Sequence, residues 1–291
     1  MAGLILVNPH SGDESSVDEL RELFSEHQVV ECAPDEMPKL AEEAVSKGVD
    51  FVGVAGGDGT IRCVSEILTE GNMPLLPVPA GTRNHFAREL DIPTLESAAE
   101  AATGGERVAV DVGEVNDCRF INNSSIGAYP AIVVTREEHE KRFSKWLANL
   151  LAIWMQLRQS HRFSVGVDGK HYRAWMVFVG NGLYGKGLWS LGARESLHDN
   201  VLDFRLVRAD LPLARCRVAL ALLTGRLEGS PLLVHGQFQE LQLDLDGDAV
   251  DVALDGEVET LKPPLRYRSL AGALAVLVPA SASVSAKTVE R

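Results

Sequence analysis

Phe51-Val52-Gly53-Val54-Ala55-Gly56-Gly57-Asp58-Gly59-Thr60 is the stretch on which the reading of the fold turns. It begins as an apolar run, breaks into glycines, a carboxylate and a hydroxyl, and continues as Ile61-Arg62-Cys63-Val64-Ser65-Glu66-Ile67-Leu68. The run predicts a buried strand and the continuation a helix. Glycine at such a junction lets backbone N–H groups face a bound group without interference from Cβ, and the helix N-terminus adds partial positive charge. A phosphate fits there better than a cation. A tight strand-to-helix turn whose glycines serve only packing uses the same residues. Asp58 and Thr60 favour the binding role, because a carboxylate beside a phosphate is repelled unless a metal such as Mg²⁺ or a hydrogen-bond donor intervenes.

Outward from this stretch the rhythm is regular. Leu4-Ile5-Leu6-Val7 predicts a first strand, left through Asn8-Pro9-His10-Ser11-Gly12. A helix carrying Val17, Leu20, Leu23 and Phe24 follows, then a strand at Gln28 to Cys32, then a helix with Leu40, Ala41, Ala44 and Val45 that Gly48 closes. Leu75-Leu76-Pro77-Val78 predicts the strand after Phe51, with Pro79 to Ala87 as its exit loop. Alternating strands and helices call for a parallel sheet covered on both faces, with binding loops at the carboxyl ends of the strands.

From Arg107 the writing becomes strand-rich: Val108, Val110 and Val112 alternate, and Arg119 to Asn123 predicts another strand. A hairpin is expected around Asp168-Gly169, a helix at Leu213 to Leu223, and strands at 241–245, 250–254 and 273–278. The expected organisation is an α/β domain at 1–122, a mainly antiparallel β-sandwich at 123–280, and a flexible tail at 281–291. Glu137 to Gln159 reads as a long helix with Phe143, Trp146, Leu147, Leu150, Leu151 and Trp154 on one face and basic residues at its ends. Such a face either packs over a sheet or approaches anionic lipid.

Length and composition set the bounds. A chain of 291 residues with 45% apolar content is long enough for two domains with cores of their own. A formal charge of −13 argues against a nucleic-acid partner, which needs a basic face. Cys32, Cys63, Cys118 and Cys216 are scattered, without zinc spacing or a disulfide framework, which suits reduced thiols in the cytoplasm. No apolar run approaches the roughly 20 residues of a membrane span, so the expected membrane contact is peripheral. Self-association as a homodimer is left open.

Asn8-Pro9-His10-Ser11-Gly12, Gly56-Gly57-Asp58-Gly59-Thr60 and Pro79-Ala80-Gly81-Thr82-Arg83-Asn84-His85-Phe86-Ala87, in this order and each after a strand, resemble the diacylglycerol kinase catalytic domain. Asp111-Val112-Gly113 and Phe120-Ile121-Asn122 match the same lipid-kinase pattern. The glycine loop alone is shared with NAD kinases and 6-phosphofructokinases, which lack the third motif in this form. The resemblance implies a Rossmann-like first domain of the NAD kinase and phosphofructokinase type. It also implies ATP with Mg²⁺ as phosphate donor and a lipid alcohol, most simply diacylglycerol, as acceptor. On the same resemblance Gly56, Gly57, Gly59 and Thr60 bind phosphate, and Asn8, Ser11, Gly12, Gly81, Thr82 and Asn84 line the rest of the nucleotide site. Asp58 would hold Mg²⁺.

Phosphoryl transfer also needs a group to take the acceptor hydroxyl's proton. The resemblance points to Leu254-Asp255-Gly256-Glu257, with Asp255 as base and Glu257 beside it; a β-turn whose Asp and Gly serve geometry would read the same. His198-Asp199-Asn200-Val201-Leu202-Asp203 is similar to a family loop that binds a structural Mg²⁺, here through Asp199. His198 and Asn200 depart from that loop's pattern, although Asn tolerates the φ > 0 that its turn requires. Asp13 and Arg62 are further departures, and Arg62 or Arg83 is expected to restore positive charge near the phosphates. Two other functions fit the residues: a soluble-substrate kinase of the NAD kinase type, and a lipid- or nucleotide-binding regulatory protein that has lost turnover.

Overall fold

The computed structural model describes residues 3–9, 17–69, 71–82, 84–127, 162–185, 194, 196–224, 227 and 229–282. The chain divides into two compact units: Met1–Val112, Arg119–Asn122 and Leu270–Arg291 form the first, and Gly113–Cys118 and Asn123–Ser269 the second. The division thus differs from a single cut after residue 122, because the chain returns to the first unit at Leu270.

In the first unit β1 (Leu4–Val7), β2 (Gln28–Glu31), β3 (Val52–Gly56) and β4 (Leu75–Pro79) alternate with α1 (Val17–Leu23), α2 (Met37–Lys47) and α3 (Asp58–Leu68). Two further helices, α4 (His85–Glu89) and α5 (Leu95–Gly104), follow. The strands pair in parallel in the order β4-β3-β1-β2. All of β1 and β3 is buried, which is why both read as unbroken apolar runs rather than as alternating ones. The chain passes from β1 to β2 on one side and from β3 to β4 on the other, so a topological switch point lies between β1 and β3. Ligands of open parallel sheets bind outside the carboxyl ends of the strands at that point.

Helix α2 ends as expected, with Gly48 in the left-handed region at φ 69° and its N–H turned back to the Ala44 and Val45 carbonyls. Its inward stripe is Met37, Ala41 and Ala44; Val45 is exposed, so the stripe lies one step round from the expected face.

The second unit holds β7 (Asn123–Gly127), β8 (Phe163–Val167), β9 (Lys170–Asn181), β10 (Leu202–Arg208), β11 (Leu233–Phe238), β12 (Glu240–Leu245), β13 (Val250–Leu254) and β14 (Glu257–Leu261). Helix α6 (Ala214–Thr224) sits between β10 and β11. Strands β5 (Glu106–Val115) and β15 (Leu265–Val278) carry residues of both units, and β6 (Cys118–Phe120) straddles the division. Strands β7 to β14 pair with one another in antiparallel fashion, as expected. Asp168-Gly169 is the tip of the β8–β9 hairpin, with both residues at φ > 0. Strands β11 and β14 have no counterpart in the sequence reading, and β15 starts at Leu265 rather than near Ala273. Trp175, Met176, Phe178 and Val207 make a core on which Ala214, Val218 and Ala221 of α6 pack. The predicted helix with the Phe143 to Trp154 face lies outside the described residues, as does the tail beyond residue 282.

Tyr267 of β15 is fully buried and its hydroxyl pairs with Ser124 Oγ of β7 at 2.9 Å. Burial pushes its phenol well above the ordinary value of 10.0, and the Ser124 hydrogen bond only partly opposes this. A group whose folded pKa is raised keeps its full contribution below its unfolded pKa and loses it as pH rises beyond. Urea denaturation should therefore show stability falling above about pH 10, and Tyr267→Phe should flatten that fall. At neutral pH the same variant should cost about 1 kcal/mol, since it strips a buried serine hydroxyl of its partner.

Candidate functional site

Strand β3 ends at Gly56, and Gly57 is the N-cap of α3, in extended conformation at φ −80° and ψ 175°. The first intrahelical bond runs from Ile61 N–H to the Gly57 carbonyl at 3.1 Å. The N–H groups of Asp58, Gly59 and Thr60 precede it, and no side chain caps the helix. This is an anion seat by construction. Gly56 is required locally, because a Cβ there would lie 2.9 Å from Thr60 Cβ.

The loop after β4 closes on this seat. A Cβ at Gly81 would lie 2.5 Å from Gly57 Cα and 2.8 Å from its nitrogen, so the two loops touch backbone to backbone. Asn84 holds Gly81 there: Oδ1 accepts from Gly81 N–H at 2.9 Å and Nδ2 donates to the Gly81 carbonyl at 2.6 Å. Asn84 itself adopts φ 50°, a left-handed conformation that asparagine tolerates better than most residues.

Asp58 joins the same two loops. One of its oxygens accepts from His85 N–H at 3.1 Å and the other from Phe86 N–H at 3.0 Å, so a residue of the first turn of α3 caps α4. Of the two ways to keep a carboxylate beside an anion, a donor and a metal, the structure supplies the donor. The chain thereby brings Gly56, Gly57, Asp58, Gly59, Thr60, Gly81 and Asn84 together, with exposed Thr82 on the same loop. Asn8 N–H donates to the Ala55 carbonyl at 3.2 Å, which puts the end of β1 beside the end of β3. Ser11, Gly12, Asp13 and Arg83 lie outside the described residues.

Arg62 does not serve as the expected phosphate cation. It is buried, with Nε donating to the Arg119 carbonyl at 2.9 Å and Nη2 paired with Glu66 at 3.0 Å. Glu66 lies one turn further from the helix N-terminus, so the guanidinium is drawn away from the anion seat. The i, i+4 spacing of Arg62 and Glu66 was a readable sign of this.

In the second unit Asp255 and Gly256 form the two-residue turn between β13 and β14, at φ 51° and 98°. The Asp255 Oδ1 accepts from Asn123 N–H at 2.9 Å, and its own N–H donates to the Asn123 carbonyl at 2.9 Å. The turn is thus pinned to the start of β7. Sequence reasoning missed Asn123, whose partner lies 132 residues away. Glu257 opens β14 opposite Leu254 and is exposed.

The Asp199 loop keeps its turn: Asn200 takes φ 52° where the family pattern has glycine. Its cation demand is met differently. Asp199 accepts from Leu183 N–H at 3.4 Å, and Asp203 accepts from the next amide, Tyr184, at 3.2 Å. Arg205 Nη2 lies 2.7 Å from Asp203 and donates to the carbonyls of Tyr184 and Gly185 at 3.0 and 3.1 Å, while Arg194 donates to the Asn181 carbonyl at 2.9 Å. Guanidinium groups thus engage the carbonyls of this loop, and His198 brings a ring whose two nitrogens are buried without a hydrogen bond. Among the described residues there is no cluster of three or more His, Cys, Asp or Glu side chains suited to a metal.

With this geometry in place, comparison with known proteins is decisive. Residues 2–115 match the diacylglycerol kinase catalytic domain. A protein of Pseudomonas aeruginosa named "Probable lipid kinase YegS-like" is 31% identical over 251 residues, covering 83% of this chain and 81% of that one. The chain belongs to the YegS-like lipid kinase family. A second member, "Probable lipid kinase YegS" of Escherichia coli O9:H4, is 26% identical over 290 residues, 92% of this chain and 95% of the relative. The fold is shared with the crystal structure of a diacylglycerol kinase from Bacillus anthracis str. Sterne, at TM-score 0.67 and 23% identity over 95% of this chain and 96% of that one. Membership in this lipid kinase family implies use of ATP.

The loop contacts and the guanidinium loop each make a measurable forecast. Asp58→Asn replaces one acceptor by an NH₂ that faces an N–H, and should cost about 1 to 3 kcal/mol of unfolding free energy together with weakened nucleotide binding by calorimetry. Arg205→Met should cost about 3 to 5 kcal/mol, because it leaves Asp203 buried without its partner.

Proposed function

We propose that this protein is an ATP-dependent lipid kinase that phosphorylates a lipid hydroxyl, with diacylglycerol as acceptor and phosphatidic acid as product. The observation that carries the reading is the pair of loops locked by Gly57, Gly81 and Asp58. Together they present the uncapped N-terminus of α3 at the switch point of a parallel sheet, where ATP's phosphates bind. Mg²⁺ enters as part of the nucleotide substrate. Asp58 would hold it through water, since both its oxygens already accept backbone N–H groups.

In this reading the acceptor hydroxyl attacks the γ-phosphorus, a new O–P bond forms, the bond to the β–γ bridging oxygen breaks, and ADP leaves. The hydroxyl proton passes to the Asp255 carboxylate. The Asn123 N–H and the hairpin turn fix the orientation of that carboxylate, and Glu257 follows it as the other acidic member of the site. A late proton transfer does not demand a strong base when most catalysis is positioning and electrostatics. The reaction takes place at the surface of a bilayer, on the cytoplasmic side, with the enzyme peripherally attached. Among the described residues no helix is long and apolar enough to cross a membrane.

Purified protein with labelled ATP and Mg²⁺ should transfer label to diacylglycerol in a panel that also holds a long-chain base and NAD. Asp255→Asn should lower kcat by about 100-fold or more with little change in nucleotide affinity. Labelled NAD in the absence of lipid would replace this reading by the NAD kinase type, and no labelled product across the panel would replace it by a binding or regulatory role.

A further inference from the structure

We infer that helix α6 is the element by which this protein docks on an anionic lipid bilayer. The inner face of α6, Ala214, Val218 and Ala221, is already buried against the core around Trp175, Met176 and Val207. A helix so seated on a domain ordinarily turns a polar face to water. Here, among the described residues, two large apolar side chains stand on the outer side beside exposed Cys216 and Arg217: Leu213, at the helix entrance, is 78% exposed and Leu220, two turns on, is 59% exposed. Few large hydrophobic residues of the described chain are this open to solvent.

The backbone adds to the case. Leu213 holds φ 52°, a left-handed conformation that is costly for a side chain branched at Cγ and has no glycine or asparagine to ease it. Leu211 also packs against the core, so the turn separates two leucines two positions apart, one inward and one outward.

Charge selects the partner. The segment from Leu211 to Leu227 contains no Asp or Glu, whereas Arg215 and Arg217 lie within α6 and the chain as a whole carries −13. The nearest preceding acid, Asp210, is neutralised by the fork of Arg208 at 2.9 and 2.7 Å. Arg173, whose carbonyl accepts from Ala209 N–H at 2.6 Å, stands at the entrance to the same helix. An apolar ridge flanked by arginines on an otherwise acidic protein is complementary to acyl chains beneath anionic headgroups. The inference rests on the lipid-kinase reading for its purpose, since a lipid acceptor must be reached in its bilayer, but its test does not require turnover.

The test is co-sedimentation of the full chain with vesicles of phosphatidylcholine alone and of phosphatidylcholine mixed with phosphatidylglycerol. Wild-type protein should bind the mixed vesicles, and binding should weaken with added salt. The double variant Leu213→Ser, Leu220→Ser should lower partitioning at least about tenfold. Arg217→Glu, at an exposed position of the helix, should weaken the preference for mixed vesicles. This second variant alters only surface charge and guards against a folding defect in the first, and circular dichroism and the melting temperature should match wild type for both. Phosphorylation of a short-chain diacylglycerol dissolved without vesicles should be unchanged in both variants, whereas phosphorylation of diacylglycerol within vesicles should fall. Vesicle binding unaffected by either variant overturns the inference. So does a loss of self-association in the leucine variant, measured by sedimentation, without loss of vesicle binding. Binding that behaves as expected in a protein that labels no lipid keeps the docking surface and removes the kinase reading instead.

Discussion

The near-contact of two glycine backbones, Gly57 and Gly81, is the constraint on which the candidate site depends. The loop that leaves β3 and the loop that leaves β4 can share one anion seat only if no side chain stands between them. At Gly81 even a methyl group would fall 2.5 Å from a neighbouring Cα. Neighbouring backbone cannot swing aside as a flexible side chain would, so the requirement for glycine is absolute at that point. Asn84 and Asp58 then lock the arrangement from opposite sides. The first holds Gly81 through both atoms of its amide, and the second ties the start of α3 to the start of α4.

Asp58 resolves what looks like a conflict of charge. A carboxylate in the first turn of a helix is favourable to the helix and unfavourable to a bound phosphate. With each oxygen accepting a backbone N–H, its charge is spread into the amides of the neighbouring loop. The N–H groups at the start of α3 are left for the ligand. Arg62 makes the complementary point: a cation close in sequence to the seat is committed to Glu66 and to the Arg119 carbonyl, and it braces unit one internally. Proximity in sequence placed Asp58 and Arg62 equally near the phosphates, and their hydrogen-bond partners separated their roles.

A similar division of labour governs the second unit. The Asp255 turn would be an ordinary two-residue hairpin tip, as Asp168-Gly169 is, were it not tied to Asn123 through both backbone and side chain. At the Asp199 loop His198 and Asn200 depart from the family pattern, and the carboxylate of Asp203 is met by the fork of Arg205. A guanidinium that reaches a carboxylate and two carbonyls at once supplies the positive charge and the directional bonds that such a loop lacks by itself.

The sequence by itself determined the parallel α/β unit, the phosphate loop and the kinase family. Each is written locally: an apolar run long enough for a buried strand, glycines where a helix begins, and three motifs in fixed order. It located the β8–β9 hairpin for the same reason, since Asp-Gly between alternating residues carries its own turn. The strands β11 and β14 and the early start of β15 were not legible, because their partners, rather than their composition, give exposed and polar residues such as Gln237, Thr260 and Arg266 an extended conformation. Only the tertiary structure decided that Asp58 caps another helix, that Arg62 is a brace, that Asn123 pins Asp255, and that Leu213 is held facing water. All four depend on atoms brought together from distant positions or on a backbone conformation imposed by packing, and neither is recorded in the order of residues along one segment.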